Sequence, residues 1–514
     1  MNEIINAFPL FSIIICFVGA VVSSFSNRKV AFILSLTVCS LVIFLTSFVL
    51  AYTLKTNEAI IYTMGHFGPN EDGIRICNEI RVGPLEAFLA IFFATVLMLV
   101  IISGKVFQDE DINHKKQNLY YVMMCLILVS NISLLYTNDI FTGFVFIEVS
   151  TLASCGCLMV KEKGPTILST VRYMIFNLVG SGLFLIGIVI LYDLTGYLSI
   201  ENIATAVSKV AETEQLKFPL HVSFALIIAG LSIKSGLFPF HFWMPDAYGG
   251  ATPSSSSILS GIVTKGYLFL LIKVIYRMLT IEILRQTYIL EALFVLGVLG
   301  MIVGSINAIH QKSIDRMTAF SSAAQIGYIF MGIGLSSYIG IKSAQNIAFV
   351  AFIFHILTHC VTKSLLFIST GGLVKSAGGA KKFRNLRGIG RFDKLSAATY
   401  SVGALSMIGF PLFAGFISKY FFVSTALEVT IPVCMKVIAV VALIVSTVLN
   451  AIYFVRTMLT IYLRKETSNT FVEKIKYKPT YVVGVILLAS INVFLGVGST
   501  FIVEIINKGF HLFV

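Results

Sequence analysis

Four charged residues lie within stretches that otherwise have the composition of membrane-spanning helices: Lys234, Lys265, Lys419 and Glu148. A charge at the centre of a bilayer costs roughly 2.5–3.5 kcal/mol even on the most lenient insertion scale. Loss of hydration penalises the protonated form of a lysine, so a lysine held away from water can gain and lose a proton near neutral pH. Because the chain is only 12% charged, charges retained in its apolar segments indicate ion or proton transfer rather than anchoring.

Lys234 and Glu148 are candidates for an ion pair. Lys234 lies about fifteen residues into its apolar segment, which is too deep for the side chain to snorkel to the interface. Glu148 lies near the middle of its own segment, where a carboxylate needs a partner; a structural hydrogen bond between helices is the alternative. A closed pair would hold the lysine protonated, and opening the pair would let it release the proton.

Two histidines and a further lysine are spaced at helical intervals in one apolar segment: His355, His359 and Lys363. The i, i+4, i+8 spacing places them on one stripe about 12 Å long. A zinc pair is disfavoured because the glutamate of HExxH and a third ligand are missing, and no metal site is predicted. Imidazole titrates near neutral pH, so the stripe predicts a proton relay, with structural polar contacts as the alternative.

Other polar residues could take part in the same transfer. Proton uptake and helix-end contacts are equal alternatives for His241 and Asp246. Three more side chains could hold water in a channel or join packed helices by hydrogen bonds, namely Ser321, Ser322 and Gln325. Lys273 and Arg277 lie nearer the end of the segment that contains Lys265, and we predict that they are interfacial anchors.

Membrane-spanning helices must position these residues. Hydrophobic residues make up 57% of the 514 residues, the mean hydropathy is +0.91, and apolar stretches long enough to cross about 30 Å of hydrocarbon recur along the chain. We predict fourteen spans, at 6–24, 30–52, 84–104, 118–136, 138–160, 170–192, 219–243, 254–278, 289–309, 315–335, 343–372, 396–427, 431–458 and 480–503. The links between them are too short for a separate soluble domain.

The net charge of +13 is concentrated in loops that follow odd-numbered spans, such as 375–394, so it does not indicate nucleic-acid binding. The positive-inside rule places those loops in the cytoplasm and both termini outside. We predict a multi-pass protein of the inner or plasma membrane of a prokaryote. The eight cysteines lack a disulfide or iron–sulfur spacing, and dinucleotide, P-loop and haem motifs are missing. No cofactor is therefore predicted in this chain, and energy must come from an ion gradient or partner subunits.

Two of the predicted spans contain helix breakers, Gly236 with Pro239 and Gly409 with Pro411. Such breaks persist in membranes only where protein or water satisfies the freed backbone groups, and paired breaks point to the sites of inverted-repeat transporters. We predict an all-α polytopic fold in which spans 4–8 and 9–13 form two inverted five-helix repeats, each with a broken helix. The segments are an N-terminal three-span segment at 1–117, repeats at 118–278 and 289–460, and a basic loop with the last span at 461–514.

The motif residues together resemble one family. They are Phe-Ile-Glu148, Lys234-Ser-Gly-Leu-Phe-Pro-Phe-His241-Phe-Trp-Met-Pro-Asp246, Lys265, Arg316-Met-Thr-Ala-Phe-Ser-Ser, Gln325-Ile-Gly-Tyr328, His359 with Lys363, and Gly409-Phe-Pro with Gly415-Phe-Ile-Ser-Lys419. Over about 118–420 the chain resembles the antiporter-like subunits shared by Mrp-type cation/proton antiporters, respiratory complex I and membrane-bound hydrogenases. Its length and the lysine at 419 resemble the D-type Mrp subunit most, or a complex I subunit of similar length.

The resemblance implies a path for protons. In the family the span-five glutamate pairs with the span-seven lysine, the span-eight lysine and a span-eleven histidine continue a hydrated lateral path, and a span-twelve lysine or glutamate is the terminal donor. These roles fall on Glu148, Lys234, Lys265, either His355 or His359, and Lys419. The loop after Asp246 and the start of span ten depart from the family pattern, which would alter partner docking more than the path.

The favoured interpretation is a proton-translocating subunit of a multisubunit complex, most like an Mrp-type sodium/proton antiporter. Its expected partners are homologous antiporter-like and other membrane subunits, the lipid bilayer, protons and Na⁺. The alternative is a proton-pumping subunit of a redox complex, either complex I (NADH-quinone oxidoreductase) or a membrane-bound hydrogenase, whose redox centres would lie on other chains. A self-sufficient transporter of a small solute and a structural scaffold are further alternatives.

Overall fold

The computed structural model describes residues 2–64, 78–336, 338, 344–428, 430–463 and 478–513. Within that part of the chain, thirteen helical segments are long and apolar enough to cross a membrane. The prediction of an all-helical, polytopic membrane protein is therefore confirmed.

The described part of residues 1–280 contains twelve helices and one pair of short strands. In chain order they are α1 (Asn2–Asn6), α2 (Phe8–Phe25), α3 (Arg28–Thr56), β1 (Ile60–Thr63), β2 (Glu79–Val82), α4 (Pro84–Asp111), α5 (Gln117–Tyr136), α6 (Ile140–Met159), α7 (Gly164–Thr195), α8 (Ile200–Ala211), α9 (Glu214–Ser235), α10 (Trp243–Gly250), α11 (Pro253–Ile258) and α12 (Thr264–Lys273). Two π-helical turns, Leu259–Val263 and Val274–Met278, flank α12. They join α11 and α12 into one membrane-crossing segment, Pro253–Met278.

The regular elements described in the second half of the chain are helices, joined by short links. In chain order the helices are α13 (Ile281–Leu284), α14 (Ile289–Ile309), α15 (Ile314–Ser336), α16 (Ala344–Ser376), α17 (Phe383–Leu386), α18 (Lys394–Ile408), α19 (Ala414–Ala426), α20 (Val433–Tyr462), α21 (Pro479–Val497) and α22 (Ser499–Phe513). The span predicted at 396–427 forms the two helices α18 and α19, each too short to cross a membrane alone. This division explains why the structure has thirteen continuous membrane-crossing segments among its described residues, whereas the sequence predicts fourteen spans.

The two predicted breaks have the same local geometry. Gly236 ends α9 with φ 79°, and Gly409 ends α18 with φ 92°. In both cases the amide after the glycine bonds five residues back, Leu237 to Ser232 and Phe410 to Leu405, each at 3.0 Å. This is the Schellman arrangement, which satisfies carbonyls at a helix end and requires a left-handed residue that glycine tolerates best.

Three helical segments form the interior of the molecule, and two of them carry Lys265, Lys363 and both histidines. The membrane-crossing windows of Pro253–Met278, α15 and α16 are entirely buried, whereas only 33–39% of the windows of α2, α3, α20 and α21 are buried. The peripheral helices therefore present apolar surface suited to lipid or partner subunits. The interior helices place lysines and histidines away from both.

A small antiparallel strand pair accompanies the helices. Ile60 pairs with Val82 and Thr63 with Glu79, and an isolated bridge joins Ile80 to Thr137 in the link between α5 and α6. The all-α prediction did not include these strands. They satisfy backbone groups in a link between spans, where no helix is available to do so.

Candidate functional site

Lys234 lies in the last turn of α9, directly before the first break. Its Nζ donates to Glu148 Oε1 at 3.2 Å and to Thr151 Oγ1 at 3.0 Å, and both acceptors lie one turn apart on α6. The lysine side chain is fully buried, whereas the side chain of Glu148 is 27% exposed. The structure thus brings the two predicted partners together, with the carboxylate at the rim of the chain and the ammonium inside.

Close packing of α7 on α9 fixes the surroundings of this pair. Ser181 of α7 donates a hydrogen bond to the same Glu148 oxygen that accepts from Lys234. A Cβ on Gly230 would lie only 2.5 Å from the carbonyl oxygen of Gly180, so any larger residue would push the helices apart. The lysine also lies at the C-terminal end of α9, where the helix dipole favours a cation.

Lys265 is fully buried on α12. Its Nζ donates to the carbonyl oxygen of Ser260 and to Thr264 Oγ1, the latter at 3.0 Å. Within the part of the chain that the structure describes, no carboxylate faces this lysine. Ser260 belongs to a π-helical turn, an irregularity that often occurs at functional sites.

Lys363 of α16 contacts α15 rather than an acidic partner. Its Nζ donates to Ser321 Oγ and, at 3.2 Å, to the Thr318 carbonyl oxygen. The neighbouring Ser322 Oγ lies 2.9 Å from Ser260 Oγ, which is the residue whose carbonyl binds Lys265. The two serines therefore connect the surroundings of both lysines, as expected of residues that hold water or join helices.

The two histidines of α16 lie beside these lysines. The Nδ1 atom of His355 is 3.1 Å from Ser418 Oγ, and its ring stacks on Tyr328 with centroids 5.5 Å apart. The ring centroid of His359 lies 6.2 Å from that of His355. Among the described residues neither nitrogen of His359 has a hydrogen-bond partner, and the same holds for Gln325 Nε2. Free donors and acceptors of this kind bind internal water.

Lys419 lies on α19, beyond the second break, and is partly exposed. Its Nζ donates to the carbonyl oxygen of Ile408 at 2.8 Å and to Thr447 Oγ1 at 3.1 Å. Ile408 is the last residue of α18, so this lysine, like Lys234, lies at the C-terminal end of a broken helix. Its Nζ is also 5.7 Å from the ring centroid of Tyr328, which stacks on His355.

These groups follow one another through the interior of the molecule, and we call the series the file. Lys234 is linked to the helix of Lys265 through Tyr267, whose ring centroid lies 5.7 Å from Lys234 Nζ. The file runs from Glu148 at one rim to the partly exposed Lys419, by way of Lys234, Lys265, Lys363, His359 and His355. Lys265 and Lys363 lie close enough to both histidines to interact with them electrostatically. Between the Glu148–Lys234 pair and Lys419, the described side chains of the file are all cations or neutral groups. Such a file can hold and pass protons, since amines and imidazoles both bind and release them.

A family model described as "NADH:quinone oxidoreductase/Mrp antiporter, TM" matches residues 137–450. The match covers more than half of the chain and includes every residue of the file. The chain belongs to this family. It is accordingly a proton-translocating, antiporter-like membrane protein.

Curated relatives of this antiporter-like chain divide between two kinds of complex. The N-type subunit of the NADH-quinone oxidoreductase of Desulforudis audaxviator is 29% identical over 81% of this chain and 78% of its own. The D-type subunit of the Na(+)/H(+) antiporter of Alkalihalophilus pseudofirmus is 25% identical over 66% of each chain. The sequence relatives therefore agree with the family assignment. They are subunits of two different complexes, so they do not identify the complex that contains this chain.

Solved structures show the same fold along almost the whole chain. A chain of the archaeal membrane-bound sulfane sulfur reductase, a respiratory membrane complex, is similar with a TM-score of 0.83 at 23% identity, covering 99% of this chain and 97% of that one. A chain of the Mrp complex from Dietzia sp. DQ12-45-1b is similar with a TM-score of 0.81 at 21% identity, covering 98% and 97%. The antiporter-like fold therefore extends beyond the residues matched by the family model.

The two residues considered for proton uptake occupy different surroundings in the antiporter-like fold. The buried ring of His241 stacks on Phe242 with centroids 4.6 Å apart, and neither ring nitrogen has a partner among the described side chains. Asp246 accepts from Arg172 Nη1 at 2.6 Å and from Arg316 Nη1 at 2.9 Å. Asp246 therefore ties α10 to both α7 and α15, an arrangement that favours helix-end contacts for this residue.

Asp246→Asn should reduce proton transport only a few-fold. Both arginines are about half exposed, and each exposed ion pair contributes about 0.2–1 kcal/mol, so α10 should loosen without unfolding. Proton transport by membrane vesicles and thermal unfolding in detergent would measure the two effects. Glu162→Gln, which removes an exposed pair with Lys116, is the matched control. A loss of about 100-fold, the scale of removing an acid–base group, would instead assign proton uptake to Asp246.

The predicted interfacial role of Lys273 and Arg277 is wrong, because both side chains are buried. Lys273 Nζ donates to the carbonyl oxygens of Leu135 and Thr137 at 2.5 and 2.9 Å. Arg277 Nη2 donates to Asn138 Oδ1 at 3.0 Å and to a glutamate of α8 at 3.3 Å. Three of these acceptors, Leu135, Thr137 and Asn138, lie at or just after the end of α5, more than 130 positions away in sequence, and the glutamate of α8 is 76 positions away. Spacing along the chain therefore did not reveal them.

Lys273→Met should destabilise the protein by about 1–3 kcal/mol while leaving transport intact. The substitution leaves the carbonyls at the end of α5 without their donor, and unsatisfied buried groups cost about that much. Thermal unfolding and proton transport per assembled complex would be measured together. Complete loss of transport in a normally stable Lys273→Met protein would place this lysine in the proton path instead.

Proposed function

We propose that this chain moves protons along its interior file as one subunit of a multisubunit membrane complex. The observation that carries the proposal is the order of charges. The described residues of the file have one carboxylate, Glu148 paired with Lys234, and then buried lysines that face no carboxylate. In a medium of low dielectric constant a charge strongly disfavours a like charge nearby. Protonation of one lysine therefore favours the neutral form of the next, and a single proton can pass along the file.

Opening of the Glu148–Lys234 pair would drive the transfer. In the closed state the carboxylate holds Lys234 as an ammonium, and this charge favours the neutral amine at Lys265. When the pair opens, Lys234 releases its proton through hydroxyls and internal water to Lys265. The imidazoles of His359 and His355 each accept a proton on one nitrogen and release one from the other. Lys419 receives the proton last and releases it at the rim.

Sodium is expected to cross elsewhere in the complex. Na⁺, like other hard cations, needs several oxygen ligands, whereas the file presents amines and imidazoles. We therefore assign protons to this subunit and the coupled cation to a partner.

An Mrp-type sodium/proton antiporter is the first candidate for the complex. The likeness to the D-type antiporter chain and the full-length likeness to a chain of an Mrp complex support it. A redox-driven pump is the second candidate, supported by the N-type oxidoreductase chain and by the respiratory sulfane sulfur reductase. The same file would act in either complex, since redox centres would lie on other chains. In both, the protein would reside in the cell membrane of a prokaryote with its termini outside.

Native purification of this chain from its own membrane, followed by mass spectrometry of its partners, would separate the two candidates. Small membrane subunits without redox proteins would identify a cation/proton antiporter. Iron–sulfur, flavin or nickel proteins would identify a redox-driven pump. Recovery of a fully active transporter with no partner at all would contradict the proposal that the chain is a subunit.

A further inference from the structure

A cavity of about 830 Å³ opens on the face that carries the basic links of the chain. Lys161 pairs with Asp111 at 3.0 Å and Lys381 with Asp315 at 2.8 Å around its mouth. Tyr248, whose side chain is buried, is among the residues that line the cavity. Charged groups of both signs at the mouth favour hydration of the cavity, which therefore brings water close to Tyr248 from this face.

A polar stripe on α7 leads from the cavity to Glu148. Its members recur every three or four residues on the buried side of the helix, and they are Thr166, Thr170, Tyr173, Asn177 and Ser181. Thr166 lines the cavity, and Ser181 hydrogen-bonds Glu148. The helical rise places these two ends about 22 Å apart, which is a large part of the membrane thickness.

Several polar atoms are free at the buried interface where α6, α7, α10 and α12 meet, and we call this interface the groove. Tyr173 Oη, Tyr248 Oη, Ser154 Oγ and Asn177 Oδ1 are buried and have no hydrogen-bond partner within the described chain. Tyr173 neighbours Ser154, Tyr248 and Tyr267. Buried atoms of this kind are sites for internal water, so the groove can hold a continuous chain of hydroxyls and water.

The inner end of the groove reaches the ion pair. The hydroxyl of Tyr267 lies 3.5 Å from Thr151 Oγ1, and Thr151 Oγ1 accepts from Lys234 Nζ at 3.0 Å. The ring of Tyr267 also lies 5.7 Å from Lys234 Nζ. These contacts complete a series of hydroxyls from the cavity to the lysine.

We propose that protons reach Lys234 from this cavity along the groove, through the hydroxyls of Tyr248, Tyr173, Tyr267 and Thr151. A hydroxyl can accept a proton on an oxygen lone pair and donate its own. Each group therefore passes one proton on and returns to its starting state, and the neutral amine of Lys234 is the acceptor. This inference rests on the proposed function, because it supplies the proton that the ion pair then moves along the file.

Two other routes fit the contacts less well. The ring of His241 is surrounded by Phe238, Phe242 and Phe320, with centroids 4.6–6.4 Å away. The serines of α11 precede Lys265 in the same membrane-crossing segment. The described hydrogen bonds of Ser255, Ser256 and Ser257 include backbone carbonyls of other helices, and none of them reaches Lys265 or Lys234. The groove on α7 combines free polar atoms with contact to both the cavity and Lys234.

Tyr173→Phe and Tyr248→Phe test the groove, because each removes one hydroxyl and keeps the ring. The full complex would be studied in everted membrane vesicles, with a pH-sensitive dye reporting the initial rate of proton uptake. We expect each variant to be slower by at least about tenfold, which corresponds to about 1.4 kcal/mol in the barrier. The ratio of rates in H₂O and D₂O should rise as well, since proton transfer would then limit transport. Tyr136→Phe, which removes another buried, unpartnered hydroxyl outside the groove, should match the parent in both readouts.

Unchanged rates and isotope ratios in both variants would overturn the groove as the intake. Rates are compared per assembled complex on native gels, and Tyr267→Phe provides a third variant of the same kind should one of the first two assemble poorly. Lys234→Met in the same vesicles separates failure of the groove as the intake from failure of the proton path itself. An inactive Lys234→Met protein beside normal tyrosine variants would refute only the groove. An active Lys234→Met protein would refute the proposed function itself.

Discussion

Lys265→Met is expected to abolish proton transport and to leave the protein as stable as the parent chain or more so. Methionine has a similar length but no charge, and the lysine it replaces is buried without a facing carboxylate among the described residues. Burying a charge without an opposite partner is costly, so removal of the ammonium should at least offset the loss of its hydrogen bonds to Ser260 and Thr264, whereas Lys273 satisfies two carbonyls at a helix end. The file would lose a group that binds the proton, and the rate should fall at least about 100-fold. Proton uptake by vesicles and thermal unfolding in detergent would measure both effects.

Lys209→Met is the control for the loss of a lysine as such, because Lys209 is exposed on α8. It should leave both transport and stability unchanged. Lys273→Met gives the opposite pattern to Lys265→Met, although both lysines are fully buried on α12. Retention of transport by Lys265→Met would remove this lysine from the file, and strong destabilisation would assign it a structural role.

Lys234→Met is expected to stop transport with equal severity and to preserve assembly. The variant removes the ammonium that Glu148 holds in the closed state, so the first transfer has no donor. Breaking a fully buried pair costs about 3–5 kcal/mol. Glu148 is 27% exposed and keeps its hydrogen bond from Ser181, so the loss of stability should be less than about 3 kcal/mol. Native gels and vesicle transport would check both statements.

Glu148→Gln shows whether the pair acts as a unit. It keeps the shape of the side chain and removes the charge, so transport should fall about tenfold or more and its dependence on pH should change. If the two residues act together, the double variant should transport no worse than Lys234→Met alone, since effects within one interacting unit are not additive. A normal rate in Glu148→Gln would exclude the opening of this pair as the driving step.

Local sequence determined the main features of the fold because the bilayer restricts them strongly. Backbone groups in hydrocarbon must bond internally, so long apolar segments become helices, and the positions of Gly236 and Gly409 mark where helices end. The twelfth predicted span shows the limit of hydropathy. Its composition is continuous, yet Gly409 and the following proline divide it into α18 and α19.

The pairing of Lys234 with Glu148 could also be predicted from sequence, since an unpaired charge in hydrocarbon is costly and few partners exist. The roles of Lys273 and Asp246 could not. Lys273 is bound by carbonyls at the end of α5, and every helix end has such carbonyls, so residue types do not reveal which end it meets. Asp246 is held by arginines from α7 and α15, and only the packing of the helices brings them to one carboxylate.

The sequence by itself therefore determined which residues in this protein can bind a proton inside the membrane and where its helices break, because both depend on local composition and on the cost of polar groups in lipid. Only the tertiary structure decided which of those residues face one another. It gave two lysines of the same helix different surroundings: Lys265 faces no carboxylate within the described chain, whereas Lys273 caps the end of α5. It also aligned the tyrosine hydroxyls of α7, α10 and α12 in one groove. Contacts of this kind depend on helix packing across distant parts of the chain, which periodicity and spacing do not encode.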